Sequence, residues 1–521
     1  MTPNPAPSGP SPARDFRLGL VRMVSTRPSI VLCTYLLTHA LLWITLAMWM
    51  YATPPGDNIE QFNWSHSLEW GYYKHPPLVT WLLYFVLKIP GSGLATTYVL
   101  GYACVVLALY LMWRVCVLLQ DQRSAMLSVL IGSCIYYFSV RGHLFNHNTV
   151  MLPVLVAAAL AFMHVTRSGS WSAWIAMGLA LGIGTLVKYQ MVLFGFVFVV
   201  GFFVLGTWKQ RGFWLRSMAS FAVFSVVVFP HIAWLFENDF RSFKYADQWL
   251  GAALGPAERI RVTLGFLAQQ LSRLLPALLA LSLAIWLAGR TLFRALPATP
   301  SRAVRRDDNI ITVLFAAGPL TLMALLCPLF GVHLQNQWGT PALMLAIPAI
   351  GAVASKLKYR LPDLRAALTA VCLIQFGSLV AAAFGTLYNG NIGHHSGFQS
   401  DALAASALAV WQRAVPNSGP SVVIGPDWEA GAIAAHLPGR PAVMMYGRPE
   451  NAPWISRERV ESCGALVVWP GANLLDPPAL PWQLMERMTN RTIVSARPKY
   501  SQSDTLLEIS VAVIPPAGDC K

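Results

Sequence analysis

The chain has 521 residues, of which 55% are hydrophobic and only 12% charged, with a formal net charge of +15. A water-soluble globular protein carries about twice that charged fraction, so the composition excludes an ordinary soluble domain and implies a surface that faces lipid. The Lys and Arg residues are scattered through short loops between apolar runs rather than gathered in a patch, which is the pattern of membrane topology and gives no reason to expect a nucleic-acid partner.

Residues 1–28 open on a Pro/Ser-rich stretch with the composition of a disordered cytoplasmic tail. The apolar run at 30–50 is too long for a signal-peptide core and has no small-residue cleavage site beside it, so it reads as a retained anchor. Further apolar runs lie at 97–118, 125–141, 149–166, 172–188, 190–206, 217–235, 264–289, 309–330, 340–355 and 365–388. With the anchor they predict an α-helical polytopic membrane domain of about 11 transmembrane helices across 29–388. Residues 75–89 are apolar but short and begin with two prolines, so this segment is expected to lie in the outer interface.

Loop charge sets the orientation. Loops assigned to the inside carry Arg14, Arg17, Arg22, Arg27, Arg123, Arg167, Lys209, Arg211 and Arg216, then Arg290, Arg294, Arg302, Arg305 and Arg306, then Lys356, Lys358, Arg360 and Arg365. Loops assigned to the outside, before the terminal domain, carry mainly Lys74, Lys88, Arg141, Arg241, Lys244, Arg259 and Arg261. The bias of about two to one gives a cytoplasmic N-terminus for an inner-membrane protein, and an odd span count puts residues 389–521 on the outer side. That region reads as a small C-terminal α/β periplasmic domain, with strands at 422–425, 442–446, 465–469 and 506–514 and a helix at 428–437. Six of the eight cysteines sit in apolar runs; Cys463 and Cys520 do not, and whether they pair is open.

The chemistry concentrates in the first outer loop, 51–96. Asp57 and Glu60 are three residues apart, on one face if the segment is helical, with Trp64 one turn further and Glu69, Lys74 and His75 following. A carboxylate can take a hydroxyl proton, and cations can hold a phosphate as it leaves. The same mixture also describes a solvated amphipathic segment with aromatic anchors at the interface. A second polar loop contains Arg141, His143, Asn146, His147 and Asn148. His143 and His147 would have metal-ligand spacing on a helix, but without a third ligand they leave a divalent metal ion as no more than an option and no cofactor is assigned. The segment 236–268 contains Tyr245, Asp247, Gln248, Trp249, Arg259 and Arg261, the makeup of a lid or equally of a plain linker.

A carboxylate motif in the first outer loop, then Trp70-Gly71-Tyr72 and His75-Pro76-Pro77-Leu78, resembles the GT-C integral-membrane glycosyltransferases of the protein-mannosyltransferase and aminoarabinose-transferase superfamily. Within it, the chain is most similar to bacterial lipopolysaccharide galacturonosyltransferase-like proteins. Leu186-Val187-Lys188-Tyr189-Gln190, Pro230-His231 with Trp234, Asn238-Asp239-Phe240 and Trp338-Gly339-Thr340-Pro341 follow in family order. The resemblance implies transfer of a sugar from a polyprenyl-phosphate carrier to a lipid or glycan acceptor, such as lipid A or another envelope glycan, among membrane lipids on the periplasmic face. It implies that Asp57 is the catalytic carboxylate with Glu60 beside it, and that Lys188 binds the carrier phosphate, although a lysine ending an apolar run also snorkels. Glu69, Lys74, His75, Arg141, His143, Gln190, Tyr245, Arg259, Arg261, Gln337 and Trp338 are the expected substrate-binding residues. Relatives often have an acidic residue near Asn148, and its absence removes a charge-based role there. Lys74 stands where some aminoarabinose transferases have glutamate, so their metal site does not carry over.

The absence of a GxxxxGK[ST] motif agrees with a lipid-phosphate donor, which needs no nucleotide. The main competing reading is a transporter or flippase of envelope intermediates. Such proteins place charges at mid-bilayer and often repeat their halves, whereas here the spans are nearly free of charge and no repeat is visible. A membrane scaffold with a partner-binding outer domain would leave the loop motifs unexplained.

Overall fold

The computed structural model describes residues 26–247, 254–290, 305–356, 364–388, 395–474, 477–500, 505–518 and 520. The N-terminal tail, part of the expected lid with Gln248 and Trp249, and the loop holding Arg294 and Arg302 lie outside the described residues.

The membrane part is helical in chain order: α1 (Pro28–Met50), α2 (Gly56–Trp64), α3 (Leu78–Val86), α4 (Thr96–Leu119), α5 (Gln122–Gly132), α6 (His147–Ser168), α7 (Trp171–Val187), α8 (Met191–Val204), α9 (Phe213–Glu237), α10 (Arg241–Asp247), α11 (Pro256–Arg290), α12 (Arg306–Phe330), α13 (Thr340–Leu345), α14 (Ile347–Lys356) and α15 (Leu364–Tyr388). Among the described residues, seven helices are long and apolar enough to cross a membrane, or eight if the pair around Ala346, bent by 50°, forms one span. Each of the eleven expected spans has a helix, but two are shorter than expected: α5 has 11 residues and α8 has 14. The expected run at 125–141 stops early because the chain turns at Ser133, whose hydroxyl donates to the Leu130 carbonyl, and stays in turns to Asn146. Helix α3, nine residues or about 14 Å long, cannot span a bilayer.

Capping explains several boundaries. The Asp121 carboxylate accepts the Arg123 and Ser124 amides at 3.0 and 3.1 Å, and Ser170 accepts from Ala173 at 3.3 Å. Helices α7 and α9 approach closely because Gly178 has no side chain: a Cβ there would stand 2.2 Å from the Ser220 carbonyl oxygen. Large outward-facing apolar side chains such as Phe221, Val226 and Phe229 on α9 are exposed, as lipid-facing surface requires.

Beyond α15 come α16 (Ser400–Ala414), β1 (Val422–Gly425), α17 (Asp427–Ala434), β2 (Ala442–Met445), α18 (Arg457–Cys463), β3 (Ala465–Pro470), β4 (Thr489–Ala496) and β5 (Leu507–Ile514). The strands form one sheet in the order β2-β1-β3-β5-β4, with β1 parallel to β2 and β3, and β5 antiparallel to its neighbours. The central strands are continuous buried Val/Ile runs, as a sheet covered on both faces demands. The edge strand β4 was not expected because Thr489, Asn490 and Arg491 are exposed and break the apolar pattern. Cys463 and Cys520 form a disulfide, made reachable by the register that pairs Ala465 with Ile514.

The sheet region docks on the first loop. Trp428 Nε1 donates to the Pro54 carbonyl at 2.9 Å, and the Thr53 hydroxyl contacts the Phe398 carbonyl at 2.6 Å. Gly431 lets α17 lie directly on α2, since a Cβ would meet the Asn63 amide at 2.4 Å.

Candidate active site

Helix α2 begins after Pro54-Pro55, so Asp57 lies in its first turn, where the helix dipole favours a carboxylate. Asp57 is exposed, and its Oδ2 accepts a hydrogen bond from Asn146 Nδ2 at 2.7 Å. Asn146 is also the cap of α6: its Oδ1 accepts the backbone amides of Asn148 and Thr149, each at 3.0 Å. Its neighbour Asn58 fixes the same junction, accepting from the Phe145 amide at 3.1 Å and donating to Thr97 Oγ1 at 2.9 Å and the His143 carbonyl at 3.1 Å.

Lys188 ends α7 in an extended conformation, in the short break before α8. Its Nζ donates to Asn148 Oδ1 at 2.6 Å and lies 5.7 Å from the centre of the Trp338 ring. Gln190, in the same break, holds Trp338 in place by donating from Nε2 to its carbonyl at 2.8 Å. Asp57 and Lys188 are therefore anchored on Asn146 and Asn148, two residues apart at one helix start; burial lowers the Lys188 pKa to about 7, against the pull of the Asp57 charge.

A second charged group lies on the other side of α2. Lys74 pairs with Glu60 and, at 3.5 Å, with Asp427 of α17. The Lys74 ammonium also lies 5.1 Å from the Tyr73 ring centre and 5.4 Å from that of Tyr245. Burial pushes the Glu60 carboxyl well above its ordinary range against the pull of Lys74. Burial acts to lower Lys74, but Glu60, Tyr73 and Asp427 together hold it above its ordinary value, so it stays charged. Asn63 completes the group by donating to the Asp427 side chain at 2.9 Å and to its carbonyl at 2.8 Å.

His75 lies between the two groups, its ring centre 3.9 Å from that of His147. Burial, reinforced by Lys188 and Lys74, lowers its pKa to about 3, so the ring is neutral. His143 and His147 do not share a helix: His143 lies in the turn before the Asn146 cap, with Nδ1 bonded to the Val140 carbonyl at 2.9 Å and its ring 4.9 Å from that of Tyr51. Among the described residues no three His, Cys, Asp or Glu side chains group as a metal site would require.

Thus Asp57, Lys188, Gln190 and Trp338 come together, as do Glu60, Lys74 and Tyr245, with His75 between them. The other expected site residues have different contacts. Glu69 accepts from Ser67 Oγ at 2.7 Å within its own loop. Arg141 and Gln337 are exposed. Arg259 bonds the Leu254 and Pro328 carbonyls, each at 3.1 Å, and Arg261 pairs with Glu258 on the surface of α11. The sequence reading missed Asn146, Asn63 and Asp427. Only Asn146 had a legible signal: an Asn just before an apolar helix is a capping pattern.

The family model described as dolichyl-phosphate-mannose-protein mannosyltransferase matches residues 74–234, a segment that includes Lys74, His75 and Lys188 but not Asp57. A lipopolysaccharide core galacturonosyltransferase of Rhizobium johnstonii is 27% identical over 41% of this chain and 43% of its own length. A second lipopolysaccharide core galacturonosyltransferase of that organism is 23% identical over 82% of this chain and 85% of its own. Among solved structures, ArnT from Cupriavidus metallidurans bound to undecaprenyl phosphate superposes with a TM-score of 0.61 at 14% identity, covering 94% of this chain and 98% of that one. The chain therefore has the GT-C fold, the architecture of the integral-membrane glycosyltransferases that its sequence resembles.

Proposed function

We propose that this protein is a glycosyltransferase that moves a sugar from a polyprenyl-phosphate carrier to a cell-envelope acceptor, lipid A, lipopolysaccharide core or another glycan, on the periplasmic face of a bacterial inner membrane. The carrying observation is the placement of Asp57 and Lys188 on Asn146 and Asn148, at the ends of apolar helices and open on the Asp57 side. The galacturonosyltransferase names of the curated relatives and the undecaprenyl-phosphate complex of the fold relative support the same substrate classes.

The chemistry follows from the residues. Asp57, hydrogen-bonded among the described residues through one oxygen, has its other oxygen to take the proton of an acceptor hydroxyl. Lys188 offsets the charge on the carrier phosphate as the anomeric C–O bond breaks. Attack by the acceptor on the face opposite the leaving phosphate inverts the anomeric configuration, as in single-displacement glycosidases. The Lys74, Glu60 and Asp427 group holds α2 against α17 and so fixes the direction in which Asp57 points.

The test is sugar transfer in membranes of an expressing strain supplied with extracted polyprenyl-linked donor. Asp57→Asn is expected to remove transfer while the protein still inserts in the membrane. Normal turnover by that variant would overturn the assignment of the base.

A further inference from the structure

The C-terminal sheet region has an open cavity of about 590 Å³ between the turn after β2, Tyr446 to Glu450, and residues 479–481. That size lies within the range of small-molecule sites, about 300–1,000 Å³. The turn leaves β2 at the carboxyl end of the parallel pair β1–β2, which is where open α/β sheets bind their ligands. Tyr446 (φ 59°) and Gly447 (φ 65°) are both left-handed there, a conformation that costs a tyrosine energy and tends to mark functional positions. Gly447 has no room for a side chain, since a Cβ would stand 2.6 Å from the Ala479 carbonyl oxygen. The result is an aromatic ring, 48% exposed, on the cavity wall.

The cavity adjoins the candidate active site. The Tyr446 amide donates to the Gly425 carbonyl at 2.7 Å, and Asp427, two residues beyond Gly425, pairs with Lys74. Arg241 of α10 donates to the Glu450 carbonyl at 2.6 Å, and Trp454, just after the turn, meets the Tyr72 ring edge-on at 6.2 Å. Donor and acceptor must both reach Asp57. Lys188, at the start of α6, takes the donor phosphate, so the cavity, which lies by Lys74 and Asp427, is on the side left for the acceptor.

The polar groups of the cavity narrow its occupant. The Arg448 guanidinium is exposed and has no partner among the described residues, although Glu450 shares the cavity wall. A free guanidinium fork holds a carboxylate or phosphate through two parallel hydrogen bonds. Glu450 repels a second negative charge and accepts from hydroxyl groups. Burial first, then Asp427, raises the Tyr446 hydroxyl above its ordinary range, so it is neutral and donates. An aromatic face with one cation and one carboxylate suits a sugar bearing an acidic group better than a free inorganic anion.

We propose that this cavity is the acceptor subsite: the Tyr446 ring packs on a sugar of the acceptor glycan, and Arg448 binds the carboxylate or phosphate which that sugar carries. The proposal rests on the transferase reading and adds to it that the acceptor is acidic and is recognised by the C-terminal region.

Two variants test it. Arg448→Gln removes the charge from an exposed side chain, and Tyr446→Asn removes the ring while keeping a residue that tolerates the left-handed backbone. Each is expected to raise the acceptor KM about tenfold with the donor KM unchanged, and Arg448→Lys to recover part of the loss. Binding is read apart from transfer, by thermal stabilisation of the detergent-solubilised full chain. The probe is lipopolysaccharide extracted from a strain lacking this protein, used intact, after dephosphorylation, or after amidation of its carboxylates. Stabilisation that either treatment removes, and that Arg448→Gln loses with the intact probe, supports the subsite and identifies the acidic group. Stabilisation that neither treatment changes, equal stabilisation of wild type and Arg448→Gln, or a rise in donor KM in place of acceptor KM overturns it. A wild type that binds the probe through Arg448 but transfers no sugar from any polyprenyl-linked donor would sink the transferase reading and leave the subsite standing.

Discussion

The side-chain amide of Asn146 donates to Asp57 Oδ2 at 2.7 Å while its carbonyl oxygen caps α6, so one side chain joins the proposed base to the start of a membrane helix. A base is only as well aimed as the groups that hold it. Here the carboxylate in the first turn of α2 is held from the start of α6.

Replacing Asn146 separates capping from aiming. Asn146→Ala removes both, and a fall in stability of about 1 kcal/mol is expected together with a roughly tenfold fall in kcat. Asn146→Asp keeps an acceptor for the α6 amides but sets a second carboxylate against Asp57. That variant should keep its Tm at neutral pH yet lose activity, with the activity profile moved to higher pH. Purified variants compared by thermal unfolding and by pH–rate profile would decide this.

Lys188 is placed to act on the donor and not on the acceptor. Lys188→Met should raise the donor KM and lower kcat, each by at least about tenfold, with the acceptor KM unchanged. Asn148→Ala, which leaves the charge but removes its 2.6 Å partner, should give a smaller effect in the same direction. Steady-state kinetics with donor and acceptor varied separately would measure both.

Asp427 belongs to the C-terminal sheet region, yet it bonds Asn63 on α2 and pairs with Lys74. Asp427→Ala leaves these partners buried and short of an acceptor, an expected destabilisation of about 1–3 kcal/mol. Transfer should fall as well, since α2 carries Asp57. A double-mutant cycle with Lys74→Met is expected to return a coupling energy of about 0.5–3 kcal/mol between the two positions. Additive effects would mean that the pair does not hold the two regions together.

Burial first, then Lys188 and Lys74, lowers the His75 pKa from 6.5 to about 3. Between those values the unfolded chain binds a proton at this residue that the folded chain does not, so stability falls as pH falls from about 6.5 towards 3. Glu60, raised by burial, works in the opposite direction in its own titration range. Replacing the histidine by glutamine should flatten the acid side of the Tm-against-pH curve, which a series of melts in buffers across that range would check.

Much of the architecture is legible in the residues because it is set by lipid. Where backbone groups cannot bond to water, an apolar run must form a helix, so each run from 30 to 388 is helical over at least part of its length. The early end of α5 was not legible, since Ser133, where the chain turns, is also held by Tyr35 and Gln375 of other helices. Strand β4 was missed for a related reason: an edge strand with exposed Thr489, Asn490 and Arg491 has no apolar signature, and only pairing with β5 defines it.

At the site, the sequence pointed to Asp57, Lys74, His75 and Lys188 because charged or titratable groups next to apolar runs are conspicuous. It also gathered Glu69, Arg141, Arg259 and Arg261, which share those properties, but Glu69, Arg259 and Arg261 bond elsewhere and Arg141 is exposed. Asp427 could not be found from the chain alone, as 353 residues separate it from Lys74.

The sequence by itself determined that this is a multi-helix membrane protein with a cluster of charged and aromatic residues in the loop after the first anchor. Hydrophobic length and the positions of charges are local properties of the chain. Tertiary structure alone decided which charges meet. Asn146 and Asn148 bring Asp57 and Lys188 to one helix start, and the C-terminal sheet places Asp427 on Lys74. Contacts between residues far apart in sequence form only when packing of the whole fold offsets the entropy of closing the loops between them.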